Sequence, residues 1–119
     1  SRDRRQDYQL VYQELKRLVR KAGQLDCNVI FTAWHDMTEI TLPSGEKAVR
    51  LSPKLPAKIL DNICGLCNIV AYIQTAEKDG QKLWFYRLEG NELLYAKDQL
   101  YCRKACKPED LFIKREDKQ

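Results

Sequence analysis

Asn28-Val29-Ile30-Phe31-Thr32-Ala33-Trp34 is the stretch on which the reading of the fold turns. It lacks the polar alternation of a half-buried strand, and a short apolar run of this kind reads as a central strand covered on both faces in a parallel sheet. Upstream, Tyr8, Val11, Tyr12, Leu15, Leu18, Val19, Ala22 and Leu25 recur at the three- and four-residue spacing of a helix with one buried stripe. Asp7 can cap the first turn and Gly23 can end the helix in a left-handed conformation, which predicts a helix over 7–22. A long amphipathic helix, a short turn and an apolar strand make the second half of a β-α-β unit, whose entering strand would lie upstream. Met37 is the only methionine, so the chain reads as a processed or trimmed piece of a longer protein.

Working outward, 119 residues with 44% hydrophobic and 32% charged side chains suit one domain, or part of one, with a modest core. The apolar runs fall far short of the roughly 20 residues that cross a bilayer. The first residues, Ser1-Arg2-Asp3-Arg4-Arg5, do not resemble a signal peptide, so a cytoplasmic protein outside membranes is expected. The net charge of +4 is concentrated on the first helix: residues 1–25 carry seven Arg or Lys against Asp3, Asp7 and Glu14. Such a stripe can attract nucleic acid or another acidic surface, and a solvated helix face has the same composition.

Downstream, residues 35–53 are polar, with Pro43-Ser44-Gly45 as the turn of a mobile hairpin or loop. Leu55, Ile59, Leu60 and Ile63 predict a short helix with Pro56 in its first turn. Residues 68–75 and 82–88 read as antiparallel strands joined at Glu77-Lys78-Asp79-Gly80, and residues 92–96 as a further strand. The chain is expected to be one compact unit over 1–113, followed by a charged tail at 114–119.

A phosphate-cradling loop needs clustered glycines and a lysine followed by Ser or Thr. The five glycines of this sequence stand alone, so nucleotide hydrolysis by this chain alone is not expected. Polar groups at the end of a parallel strand lie where open α/β sheets bind ligands, which singles out Thr32 to Asp36 and above all His35, the only histidine. Cys64 and Cys67, with Cys102 and Cys106, have spacings able to surround zinc, although buried thiols among apolar neighbours are ordinary core residues. Cys27 reads as a core thiol. Lys97 follows the strand 92–96 and could meet a phosphate there. Tyr86, Arg87, Tyr95, Tyr101 and Arg103 interleave rings and cations as a single-strand nucleic-acid surface does, and strand-favouring aromatics do the same.

Taken in order, the helix Tyr8 to Ala22, the motif Asn28-Val-Ile-Phe-Thr-Ala-Trp-His35, the loop to Pro53, and Leu55-Pro-Ala-Lys-Ile-Leu-Asp-Asn-Ile63 leading to Asn68-Ile-Val-Ala-Tyr-Ile73 resemble phage RecA-like ATPases. These are phage nucleotide-binding proteins related to single-strand annealing factors, and the resemblance runs from about Asp7 to Leu100. It implies an α/β fold that is the carboxyl-terminal part of a RecA-like P-loop NTPase core. A mixed sheet, an amino-terminal helix and carboxyl-terminal antiparallel strands would compose it. Trp34 or His35 would then occupy the sensor position, where such proteins commonly carry Gln. Lys47 and Arg50 would contact phosphates of single-stranded DNA, and Lys97 would reach the nucleotide of a neighbouring subunit. The implied protein is a homo-oligomeric, ATP- and Mg-dependent DNA-recombination or single-strand-handling ATPase, of which this chain is a part that is inactive alone. The alternatives are a small zinc-stabilised nucleic-acid-binding module and a purely structural phage component.

Overall fold

The computed structural model describes residues 4–113. They divide into two compact units, residues 4–34 with 53–67, and residues 35–52 with 68–113. Reading residues 114–119 as a tail falls outside the described residues.

The first unit is built on two helices, α1 (Arg4–Ala22) and α2 (Ala57–Leu66). α1 begins ahead of Asp7, which lies inside the first turn and favours the positive end of the helix dipole instead of capping it. Gly23 is not left-handed. Its amide still donates to Val19 O at 3.1 Å, and the helix unwinds through the tighter bonds Gln24 N to Lys21 O and Leu25 N to Ala22 O. Pro56 stands just before α2, and its carbonyl accepts from both Ile59 N and Leu60 N at 3.0 Å. Having no amide hydrogen is harmless at that place. Val19 of α1 and Ile59 and Ile63 of α2 form the buried centre, with Tyr12, Leu15, Leu55 and Cys67 packed around it.

Residues 28–34 are not a central strand. They adopt no regular structure, and Ile30, Phe31 and Trp34 are 62%, 48% and 84% exposed. A central strand exists only where neighbours on both sides take up its amides and carbonyls, and none of the described strands pairs with this run. Its last carbonyl, Trp34 O, accepts from Lys54 N at 2.7 Å. Cys27, expected in a core, is exposed.

The second unit carries small sheets. β1 (His35–Thr41) and β2 (Lys47–Pro53) form a hairpin, the first of the two readings expected for residues 35–53. Its turn is closed by Leu42 N to Glu46 O and Gly45 N to Leu42 O, both 2.8 Å, with Gly45 at φ +90. β3 (Ile69–Val70) pairs antiparallel with β6 (Lys97–Asp98). β4 (Tyr72–Lys78) pairs antiparallel with β5 (Gln81–Arg87), and β5 with β7 (Ala105–Cys106). The expected first hairpin strand is thus shared between two sheets, broken at Ala71. The turn between β4 and β5 is Asp79-Gly80, both left-handed at φ 54 and 77, the geometry that matches the twist of a two-residue hairpin.

Residues 92–96 are not a strand: Asn91 and Leu94 bridge to each other, and the following β6 is where pairing resumes. A short helical turn, η1 (Pro108–Asp110), closes the unit, whose buried apolar residues include Val70, Leu88, Leu94 and Ala96. The chain is therefore mixed α/β with two helices and antiparallel pairings. The expected parallel sheet is not present among the described residues, where the parallel contact is the isolated bridge Leu51 to Leu94. Among them, no helix is long and apolar enough to cross a membrane.

This arrangement separates two isoleucines. Ile63→Ala removes a buried side chain and should cost about 2–5 kcal/mol in chemical denaturation, whereas Ile30→Ala should cost less than about 0.5 kcal/mol. Equal losses would mean that residues 28–34 are packed in a sheet.

Candidate phosphate-binding cleft

Arg50 and Lys97, far apart in sequence, line one open cleft of about 390 Å³ in the second unit. The cleft forms where β2 meets the segment 90–97. Leu51 N donates to Leu93 O at 2.9 Å and Tyr95 N to Leu51 O at 2.8 Å, which pins the two together. Asn91 shapes the segment: its Oδ1 accepts from Leu93 N at 2.7 Å while its own amide donates to Leu94 O at 3.0 Å, an Asx turn. Gly90 runs so close to the segment that follows it that a Cβ there would meet the Ala96 carbonyl oxygen. Only glycine fits that crossing.

The Arg50 guanidinium stacks over the Tyr95 ring, 5.1 Å from its centroid. Among the described residues, its Nε is a buried donor with no hydrogen-bond partner. A buried donor left unpaired costs on the order of 1–3 kcal/mol, which an acceptor brought to that nitrogen would relieve. Lys97, in β6 opposite Val70, adds a second cation. No carboxylate lines the cleft. Two cations, an aromatic ring and no acid or nucleophile can neutralise and hydrogen-bond an anion.

Lys97 is held in place by its neighbour. Asp98 has a fully buried carboxylate. Its Oδ1 accepts from Leu100 N and Tyr101 N at 3.1 and 3.0 Å, and its Oδ2 from Arg103 N and Nε at 3.2 and 2.7 Å. Burial alone would raise this carboxyl, but the bonds from the Arg103 side chain and from the Tyr101 and Arg103 amides, with the guanidinium charge, outweigh it and hold it below its ordinary value. Arg103 then donates from Nη1 to Asp110 O at 2.8 Å and from Nη2 to Leu111 O at 2.7 Å, fastening η1.

The other sequence candidates are placed differently. Lys47 Nζ lies 3.2 Å from Glu39 Oε1, both side chains exposed, an ion pair of little energetic consequence, so the structure does not join Lys47 to Arg50 at the cleft. Trp34 is exposed, and His35 opens β1 with its ring edge-on to Tyr72 at 6.5 Å. Lys97 does not follow a strand over 92–96 but sits inside β6. Cys64 is buried on α2 and Cys67 Sγ donates to Ile63 O at 3.5 Å, both in the first unit. Cys102, left-handed at φ 53, and Cys106 belong to the second unit. Burial pushes the Cys106 thiol up despite the Arg103 charge. Among the described residues, no group of three or more His, Cys, Asp or Glu could hold a metal ion. Of the interleaved rings and cations, Arg103 stacks on Tyr101 at 4.8 Å and is spent internally. Sequence reading missed the Asp98–Arg103 pair, and it took Gly90 and Asn91 only as a break between strands. The Gly-Asn dipeptide is a turn signal that could have pointed to the last two, whereas nothing local marks a five-residue-distant ion pair.

The fold and the cleft define a mixed α/β protein with a cationic surface at Arg50 and Lys97. Residues 1–100 match the family described as an AAA domain, and the chain belongs to it, an ATPase family of the P-loop type. No curated protein and no solved structure shows a significant match.

Two measurements check the geometry. Asp98 has a depressed folded pKa, so its contribution to stability is present above the unfolded value of about 3.9 and is lost as pH falls below it. Thermal melts at pH 7 and pH 3 should therefore show a larger loss for the native chain than for Asp98→Asn, and equal losses would count against the pair. Gly90→Ala should destabilise by about 1–3 kcal/mol, read from the urea midpoint.

Proposed function

We propose that this chain is the interface-bearing part of an ATP-dependent, RecA-like phage enzyme that handles single-stranded DNA as a homo-oligomer. In this reading Arg50 and Lys97 contact the phosphates of a nucleotide held by a neighbouring subunit. The observation that carries it is the Arg50 guanidinium, stacked on Tyr95 beside Lys97 with a buried Nε lacking a partner among the described residues. A triphosphate suits that donor set: Arg50 offers a planar fork matched to phosphate oxygens, and Lys97 a compact charge. Mg²⁺ does not suit it, because hard cations take oxygen ligands and no carboxylate lines the cleft. Mg²⁺ and the phosphate-binding loop are therefore assigned to other parts of the working enzyme.

Family membership supports nucleotide chemistry. The exposed apolar run Val29, Ile30, Phe31 and Trp34 is a surface that a partner in the working enzyme would cover. In the assembled enzyme Trp34 or His35 would serve as the sensor. The role of the cleft is electrostatic: two fixed cations neutralise charge that grows on a transferring phosphoryl group, and they perform no bond-making themselves.

The test is a titration of the ¹⁵N-labelled chain with ATP and with inorganic triphosphate. Both should shift the Arg50 Nε–H signal and the amides of residues 90–97, and Arg50→Ala or Lys97→Ala should weaken the interaction about tenfold, or about 1.4 kcal/mol. Shifts confined to other residues, or equal affinity in both variants, would overturn the assignment.

A further inference from the structure

We infer that the Gln13–Gln24 face of α1 is a docking surface for the sugar–phosphate backbone of a single nucleic-acid strand. Gln13, Lys16, Arg17, Arg20, Lys21 and Gln24 line one shallow groove along this helix. The face is chemically uniform, with four cations flanked by two amides and no apolar side chain. It lies on the side of α1 away from Tyr12, Leu15 and Val19, which pack onto α2. Arg17 reaches Glu14 at 3.2 Å, an exposed pair that water and salt weaken. Among the described residues, Lys16, Arg20 and Lys21 form no ion pair with a carboxylate.

Spacing favours a strand over a point anion. Lys16 and Arg20, and Arg17 and Lys21, are four residues apart, which sets each pair about 6 Å apart along the axis. From Gln13 to Lys21 the row runs about 12 Å. A linear row of charge repeated at that interval follows successive phosphates along one strand, while a free phosphate would use only one pair. Arginine forks and glutamine amides are the donors that phosphate and sugar oxygens accept. Because none of the six residues lining the groove is aromatic or apolar, the contact would be to backbone and independent of base sequence.

The inference shares with the proposed function only the nature of the partner, and it stands on the helix and not on the Arg50–Lys97 cleft. The experiment is fluorescence anisotropy of a labelled oligothymidylate with the full chain, titrated from low to high salt. Binding should weaken linearly with the logarithm of salt concentration. Lys16→Glu with Arg20→Glu should weaken it at least about tenfold and flatten the slope by about 1.4, at about 0.7 per phosphate contact of a single strand. Lys16→Arg with Arg20→Lys should retain it. Circular dichroism tells a lost contact from a lost helix, and Lys16→Gln with Arg20→Gln, which keeps helix propensity, should still lose affinity and slope. The inference is overturned if the native chain does not bind at low salt, or if the charge-reversed chain keeps native affinity and slope. It is also overturned if polyglutamate of matched charge displaces the oligonucleotide equally well, since the face would then suit an acidic protein surface. Loss of DNA binding in Arg50→Ala with Lys97→Ala, but not in the helix variants, would sink this inference and leave the cleft standing. The opposite pattern, with no triphosphate shifts at the cleft, would uphold the helix surface and remove the cleft.

Discussion

The Asp98 carboxylate lies out of water with four hydrogen bonds converging on its two oxygens. A buried charge persists only when it is paired and its lone pairs are taken up, so the backbone from Leu100 to Arg103 has to curl around this group. The curl delivers the Arg103 guanidinium, whose remaining donors hold the carbonyls of Asp110 and Leu111. One ion pair thereby orders β6, the loop after it and the closing helical turn. Lys97 is the residue next to Asp98 in the same short strand, so the place of the cleft's second cation follows from a carboxylate that itself faces away from chemistry.

The cleft uses a different economy. Arg50 keeps its charge beside an aromatic ring, and its Nε is buried with no protein acceptor among the described residues. Arg103 satisfies every donor it can with carbonyls and a carboxylate; Arg50 does not. The two arginines thus differ in how far the protein itself takes up their donors. The missing side chain of Gly90 lets the backbone of residues 94–96 pass close by, next to the Asx turn at Asn91.

In the first unit, the apolar surface exceeds what the two helices bury. Val11, Leu18 and Leu25 are exposed beside the packed stripe of Tyr12, Leu15 and Val19, and the run from Val29 to Phe31 is exposed as well. The helical period therefore predicted α1 correctly while overstating how much of its stripe is covered, since periodicity reports which residues share a face and says nothing of what lies against that face.

Local chemistry was enough to determine several features. The spacing of Tyr12, Leu15 and Val19 specified α1, Leu55, Ile59 and Ile63 specified α2 within a few residues, and Asp79-Gly80 specified the β4–β5 hairpin, because each rests on contacts or dihedrals a few residues apart. The strand reading of Asn28 to Trp34 failed, because an apolar run becomes a strand only when partners supply hydrogen bonds on both sides. The strand reading of residues 92–96 failed where the Asn91 side chain claimed the backbone first. Lys97 was legible as a cation able to meet phosphate, and Arg50 only through the family resemblance, which paired it with Lys47 on DNA. That Arg50 and Lys97 share a cleft was decided by the pairing of Leu51 with residues 93–95 and by the Asp98–Arg103 bond, interactions between distant segments that no local pattern encodes.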